Sequence, residues 1–177
     1  MGSFVQKKSK YRITDKLDSH SALTENLLCN SCIVTMDVDK DLFSAYAFYA
    51  GVVTLKMVIM SFLTARQRFA NKTFISPEDV RRPGSKCGVH EDVERVRRAH
   101  QNDIENIPPF LILGFLYMFT NPAHATALLC YRLFAGARIL HSIVYLLVIP
   151  QPSRALAFFA GIGVNIFMAY KIITTFM

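Results

Sequence analysis

The run Leu42–Thr64, LFSAYAFYAGVVTLKMVIMSFLT, decides the fold of this 177-residue chain. A helix of that length, rising about 1.5 Å per residue, crosses the roughly 30 Å hydrocarbon layer of a bilayer. Lys56 is its one formal charge. An ammonium facing lipid at mid-bilayer costs several kcal/mol, so Lys56 is expected to face other helices or to snorkel. The whole chain agrees with this reading, since 52% of it is hydrophobic and its mean hydropathy of +0.28 is too apolar for an ordinary soluble fold of this size. The net charge of +7 and pI of about 9.4 raise a nucleic-acid partner. The basic residues flank apolar runs instead of forming a separate basic domain, however, which argues against nucleic acid and fits a positive-inside membrane topology.

Downstream, residues 65–93 hold Arg66, Arg68, Lys72, Arg81, Arg82 and Lys86 among Pro77, Pro83, Gly84 and Gly88. This is a polar loop whose basic excess places it in the cytosol, so the acceptor Asn71-Lys72-Thr73 is expected to stay unglycosylated. The charged stretch ERVRRAHQNDIEN then passes into IPPFLILGFLYMFT, which predicts one long helix protruding into the cytosol, spanning about 94–120 and kinked at Pro108 and Pro109. Asn121-Pro122 turns the chain into a third span over 123–149. Pro150-Gln151-Pro152 separates that from a fourth over 153–176. Upstream, residues 1–40 are polar and without regular period, and are read as a disordered extension. Cys29 and Cys32 form a lone C-x-x-C there, and Cys87 and Cys130 stand apart, so neither a zinc or other metal site nor a disulfide framework is expected. The fold class is all-α: an integral membrane, left-handed four-helix bundle over 41–177.

Within these spans, costly polar residues recur at helical spacing. Arg95, Arg98, Asn102 and Glu105 fall at i, i+3, i+7 and i+10 and share one helix face. Arg138, His141 and Tyr145 repeat the pattern in the third span, where an arginine must meet water, an anion or the bilayer edge. A structural ion pair between Arg138 and Glu105 is the competing reading, and a solvated face with local ion pairs is the competing reading for Arg95 and Arg98. Arg154 follows Ser153 at the start of the fourth helix, where Ser153 can cap. A cation at that positive helix end is awkward unless an anion sits beside it; the alternative is an arginine marking the cytosolic border. Together these groups suit a small polyanion that also carries an ammonium. Glutathione has that charge pattern, and a cation beside its thiol, whose pKa is ordinarily about 8.5, would raise the thiolate fraction. Residue chemistry alone does not single it out.

The segments ERVRRAHQNDIENIPPF (94–110), ARILHSIVYL (137–146), PQPSRALAFFAG (150–161) and the loop piece FISPEDV (74–80) resemble the MAPEG family of membrane-associated glutathione and eicosanoid enzymes, its glutathione transferase branch most of all. The resemblance runs from about Asp41 to the C-terminus. It implies a homotrimer in the endoplasmic reticulum membrane, with the mitochondrial outer membrane as a further location, and an active site between subunits facing the cytosol. It further implies that Arg68, Arg98, Asn102, Glu105, Arg138, His141 and Tyr145 bind glutathione and that Arg154 stabilises the thiolate. The implied activity is conjugation of glutathione to hydrophobic electrophiles, with glutathione-dependent reduction of lipid hydroperoxides. Two alternatives stand beside it: a glutathione-dependent prostaglandin E synthase and a noncatalytic scaffold of the same architecture. Where the synthase branch has Ser after the catalytic arginine and Tyr three positions beyond it, this chain has Ala155 and Phe158. Val80 replaces the stress-sensing cysteine of vertebrate transferases, which removes activation by thiol modification at that position. Met36 begins the segment resembling the usual family start, and translation from it is expected to yield active enzyme.

Overall fold

The computed structural model describes residues 39–81 and 83–177. The extension with Cys29, Cys32 and Met36 lies outside the described residues. Four long helices carry the chain: α1 Lys40–Ala70, α2 Glu91–Met118, α3 His124–Leu146 and α4 Ser153–Phe176. Between α1 and α2, strands β1 Thr73–Phe74 and β2 Lys86–Cys87 pair in parallel around a 3-10 turn, Pro77–Arg81. Sequence reading expected only an irregular loop there. α1 also runs six residues beyond Thr64, because Ala65, Arg66, Gln67 and Arg68 are strong helix formers that need no membrane to stay helical.

Local signals set the helix ends. The Asp39 carboxylate accepts from the Asp41 N–H at the start of α1, and His90 Nδ1 accepts from the Asp92 N–H at the start of α2. α2 stays helical through Pro108 and Pro109. Those prolines remove the N–H groups that would otherwise meet the carbonyls of residues 104 and 105.

α1 packs on α2 and α3, α4 packs on α3 and α2, and α2 touches α3. Among the described residues α1 and α4 do not meet, so they occupy opposite corners of a rhomboid bundle with α2 and α3 between them. The shared core holds Val53, Ile107, Phe110, Tyr131, Phe134 and Met168, all fully buried. Phe110 and Phe134 stack with ring centroids 3.9 Å apart. Two tyrosine hydroxyls find backbone acceptors on α2: the part-buried Tyr46 donates to Leu111 O at 2.7 Å and the buried Tyr131 to Gly114 O at 3.1 Å. Gly114 is needed for this close approach, since a Cβ there would stand 3.0 Å from the Tyr46 ring.

The outside is as apolar as the inside. Phe48, Leu55 and Phe62 on α1, Leu129 and Leu140 on α3, and Phe159, Ile166 and Ile173 on α4 all project outward. Such a surface would aggregate in water and is at home in lipid. α1, α3 and α4 are each long and apolar enough to cross a membrane. α2 differs because its first half is charged, and only Ile107–Met118 is continuously apolar or aromatic apart from its prolines and glycine.

Candidate functional site

The polar stripe expected along α2 divides. Arg95 is held by Asp92 at 2.7 Å and Glu91 at 3.5 Å, the local ion pairing that competed with a binding role. Arg98 and Glu105 are exposed on the outer face, Glu105 accepting from Gln101 Nε2 at 3.2 Å. Asn102 turns inward and its Oδ1 accepts from Arg138 Nη1 at 2.9 Å. Arg138 therefore bonds to Asn102; Glu105, the acid considered from spacing, is not its ion-pair partner.

Arg138 is wholly buried. Besides Asn102 it reaches α4, with Nη2 donating to Ala157 O at 3.3 Å and Phe158 O at 3.4 Å. Gly161 makes this possible, because a Cβ at that position would lie 2.9 Å from Nη2 and 3.0 Å from Nε. One guanidinium thus ties α2, α3 and the first turns of α4 together, and its Nε remains without an acceptor.

One turn further along α3, His141 is buried with Nδ1 unpartnered, and its ring lies 5.4 Å from that of Tyr145. Tyr145 packs on the cluster of Met60, Val96 and Ala99, which fixes it against α1 and α2. The Arg154 guanidinium sits over the Tyr145 ring at 4.9 Å. Ser153 does not cap α4: Pro152 takes the N-cap position without a side-chain hydrogen bond, and Ser153 Oγ turns back to Pro150 O at 3.3 Å. The first N–H groups of α4 consequently have no side-chain acceptor, and the buried Arg154 Nε has none either. Arg68, in the last turn of α1, lines a separate cleft of about 320 Å³ with Ser61, Thr64, Phe74 and Asp79, and its buried Nε is also unpartnered.

Asn102, Arg138, His141, Tyr145 and Arg154 thus form one connected train at one end of the bundle. Arg68, Arg98 and Glu105 are not joined to it by any direct bond. What this arrangement offers chemically is the unpartnered Nε of Arg138 and of Arg154 beside a helix start with no side-chain cap, a set of donors that fits an anion.

Sequence reasoning missed the acid that enters the interior. Asp103 is fully buried, and Lys56 Nζ donates directly to its Oδ1. A signal existed, since a lysine alone in an apolar span requires a partner, and an acid opposite it on a neighbouring helix was the natural candidate. Asn165 was also missed; its Nδ2 donates to Asn106 O at 3.4 Å and links α4 to α2.

A model described as the MAPEG family matches residues 46–174. Microsomal glutathione S-transferase 1 of Homo sapiens is 47% identical over 146 residues, covering 79% of this chain and 94% of that relative. The Mus musculus protein of that name is 49% identical over 142 residues, covering 77% and 92%. Prostaglandin E synthase of Bos taurus is 37% identical over 116 residues, covering 64% and 76%.

Proposed function

This chain belongs to the MAPEG family, and from that premise we propose that it is a membrane-bound glutathione transferase acting on hydrophobic electrophiles and lipid hydroperoxides. The observation that carries the reading is identity of 47% and 49% to two proteins named Microsomal glutathione S-transferase 1, over nearly their whole length. The same relation supports four membrane spans, with α2 as the fourth, and an endoplasmic reticulum location with the Arg-rich loop in the cytosol. In the homotrimer that the family resemblance implies, a neighbouring subunit would meet the exposed Arg98 and Glu105 and complete the glutathione site.

In this reading Arg154 and the uncapped start of α4 hold the sulfur as thiolate. Arg138, through Asn102 and the α4 carbonyls, fixes the turn that carries Arg154. Arg68, Arg98, Asn102, Glu105, His141 and Tyr145 supply the remaining contacts to the tripeptide's carboxylates, amides and ammonium. The thiol proton leaves to solvent. The thiolate then forms a bond to the electrophilic carbon as the leaving group departs with its electron pair, or takes the terminal oxygen of a hydroperoxide to give an alcohol and a glutathione sulfenic acid. A second glutathione reduces that sulfenic acid, giving the disulfide and water. The protein contributes position and electrostatic stabilisation.

Reconstituted protein supplied with glutathione and an aryl halide is expected to form the thioether conjugate. Prostaglandin E synthase is the second reading, favoured by the 37% identity above. Isomerisation of a prostaglandin endoperoxide with no conjugate from any electrophile would replace the transferase reading with it. Absence of any thermal stabilisation by millimolar glutathione would leave only a scaffold.

A further inference from the structure

Lys56, Asp103 and Arg138 enter the bundle interior from α1, α2 and α3, and together they carry one more positive than negative charge. Asn102 and Asp103 are adjacent on α2, about 100° apart around the helix, so one side chain turns to α3 and the other to α1. Asn102 takes Arg138, and Asp103 takes Lys56. The second carboxylate oxygen of Asp103 is buried without a donor, and Nε of Arg138 is buried without an acceptor. The two groups are anchored on adjacent residues of α2, Asp103 itself and Asn102, and no hydrogen bond joins them. Charge attraction alone would draw them together. Lys56 is the group that holds the carboxylate on the other side.

We propose that Lys56 is a positioning residue: by occupying Asp103 it keeps Arg138 on Asn102 and on the carbonyls of Ala157 and Phe158, and so keeps the Arg154 turn and its positive field available to the thiolate. This rests on the glutathione transferase reading above. The other ionisable groups around the pair are His100 on α2, which meets Ser61 of α1 at 3.4 Å, and His141, buried one turn along α3 from Arg138 and beside the Tyr145 ring on which Arg154 sits. α4 presents backbone carbonyls to Arg138.

Lys56→Met strands the Asp103 carboxylate, which then turns to Arg138, pulls it off α4 and offsets its charge. Lys56→Met/Asp103→Asn removes both members and restores Arg138 to its present bonds. A role in packing alone predicts damage in both proteins; the positioning role predicts rescue.

The test is the pH midpoint for thiolate formation on glutathione bound to the full-length protein in liposomes, followed by ultraviolet absorbance of the ionised sulfur. Lys56→Met is expected to raise the midpoint by about one pH unit, the scale on which one nearby charge acts, and to lower kcat more than it raises KM. Lys56→Arg and the double mutant are expected to return to the unmutated midpoint. Asp103→Asn alone, which covers the case where Lys56→Met does not fold, is expected to leave the midpoint unchanged or lower it. A raised midpoint in Asp103→Asn, or equal midpoints in Lys56→Met and the unmutated protein, overturns the assignment while leaving the transferase reading in place. No thiolate signal from the unmutated protein overturns both.

Discussion

Replacing Gly161 by alanine adds one methyl group to α4 and should be felt at Arg138. The new Cβ would sit 2.9 Å from Nη2, 3.0 Å from Nε and 3.3 Å from Cζ. The guanidinium is fully buried, so it has no open space to retreat into and must leave the Ala157 and Phe158 carbonyls. Those bonds are long, at 3.3 and 3.4 Å. Taking the lower end for hydrogen bonds to a charged group, about 1.5 kcal/mol each, their loss costs about 3 kcal/mol. Alanine returns about 1 kcal/mol of helix propensity, leaving a net destabilisation of about 2 kcal/mol. For a chain of this size that lowers the thermal unfolding midpoint by about 4–8 °C. Gly163, two residues along α4, has nothing within 4 Å of its added Cβ and serves as the control. The assay is thermal unfolding in detergent, with and without glutathione, for both variants. Gly163→Ala is expected to match or exceed the unmutated protein, whereas Gly161→Ala falls and loses glutathione-dependent stabilisation. A Gly161→Ala protein as stable as the control, with unchanged turnover, would show that Arg138 is not clamped as described.

Arg154→Ala is expected to lower conjugation kcat by about a hundredfold, the scale of losing one preorganised charge-stabilising donor, while equilibrium dialysis still detects bound glutathione; undiminished kcat removes Arg154 from the chemistry. Phe110→Ala deletes a ring stacked on Phe134 in a fully buried position, so it should destabilise by about 3–5 kcal/mol in denaturant titration, and a cost below about 1 kcal/mol would mean that the core is not packed there. Tyr46→Phe removes the donor to Leu111 O and should cost about 1 kcal/mol by the same titration, with turnover per folded molecule unchanged.

Helices α1, α3 and α4 were legible as apolar runs of spanning length and α2 as a charged stretch passing into an apolar one, with Asn121-Pro122 and Pro150-Gln151-Pro152 as breaks, and those signals depend only on local chemistry. The end of α1 was not, since hydropathy stops at the lipid boundary whereas helix propensity carries Arg66 and Arg68 onward to Ala70. The site was legible as a set of costly residues and illegible as a set of bonds. Spacing put Asn102 and Glu105 on one stripe of α2, but which flank of that stripe turns inward depends on where α1 and α3 lie. The bundle takes Asn102 and Asp103 and leaves Glu105 outside. Likewise Ser153 looked like a cap by residue type, and the turn through Pro150 aimed its hydroxyl backward instead. Gly161 carried no sequence signal, because its role is the space it leaves for a side chain on another helix.

Arg154, with its unpartnered Nε and the uncapped start of α4, is proposed to hold glutathione as its thiolate. Rapid mixing of the purified, membrane-reconstituted protein with glutathione at neutral pH, followed by ultraviolet absorbance, tests it most directly. The ionised-sulfur band is expected to grow, to saturate with glutathione and to be nearly abolished by Arg154→Ala. A folded protein that binds glutathione and yields no such band, or the same band with and without Arg154, contradicts it.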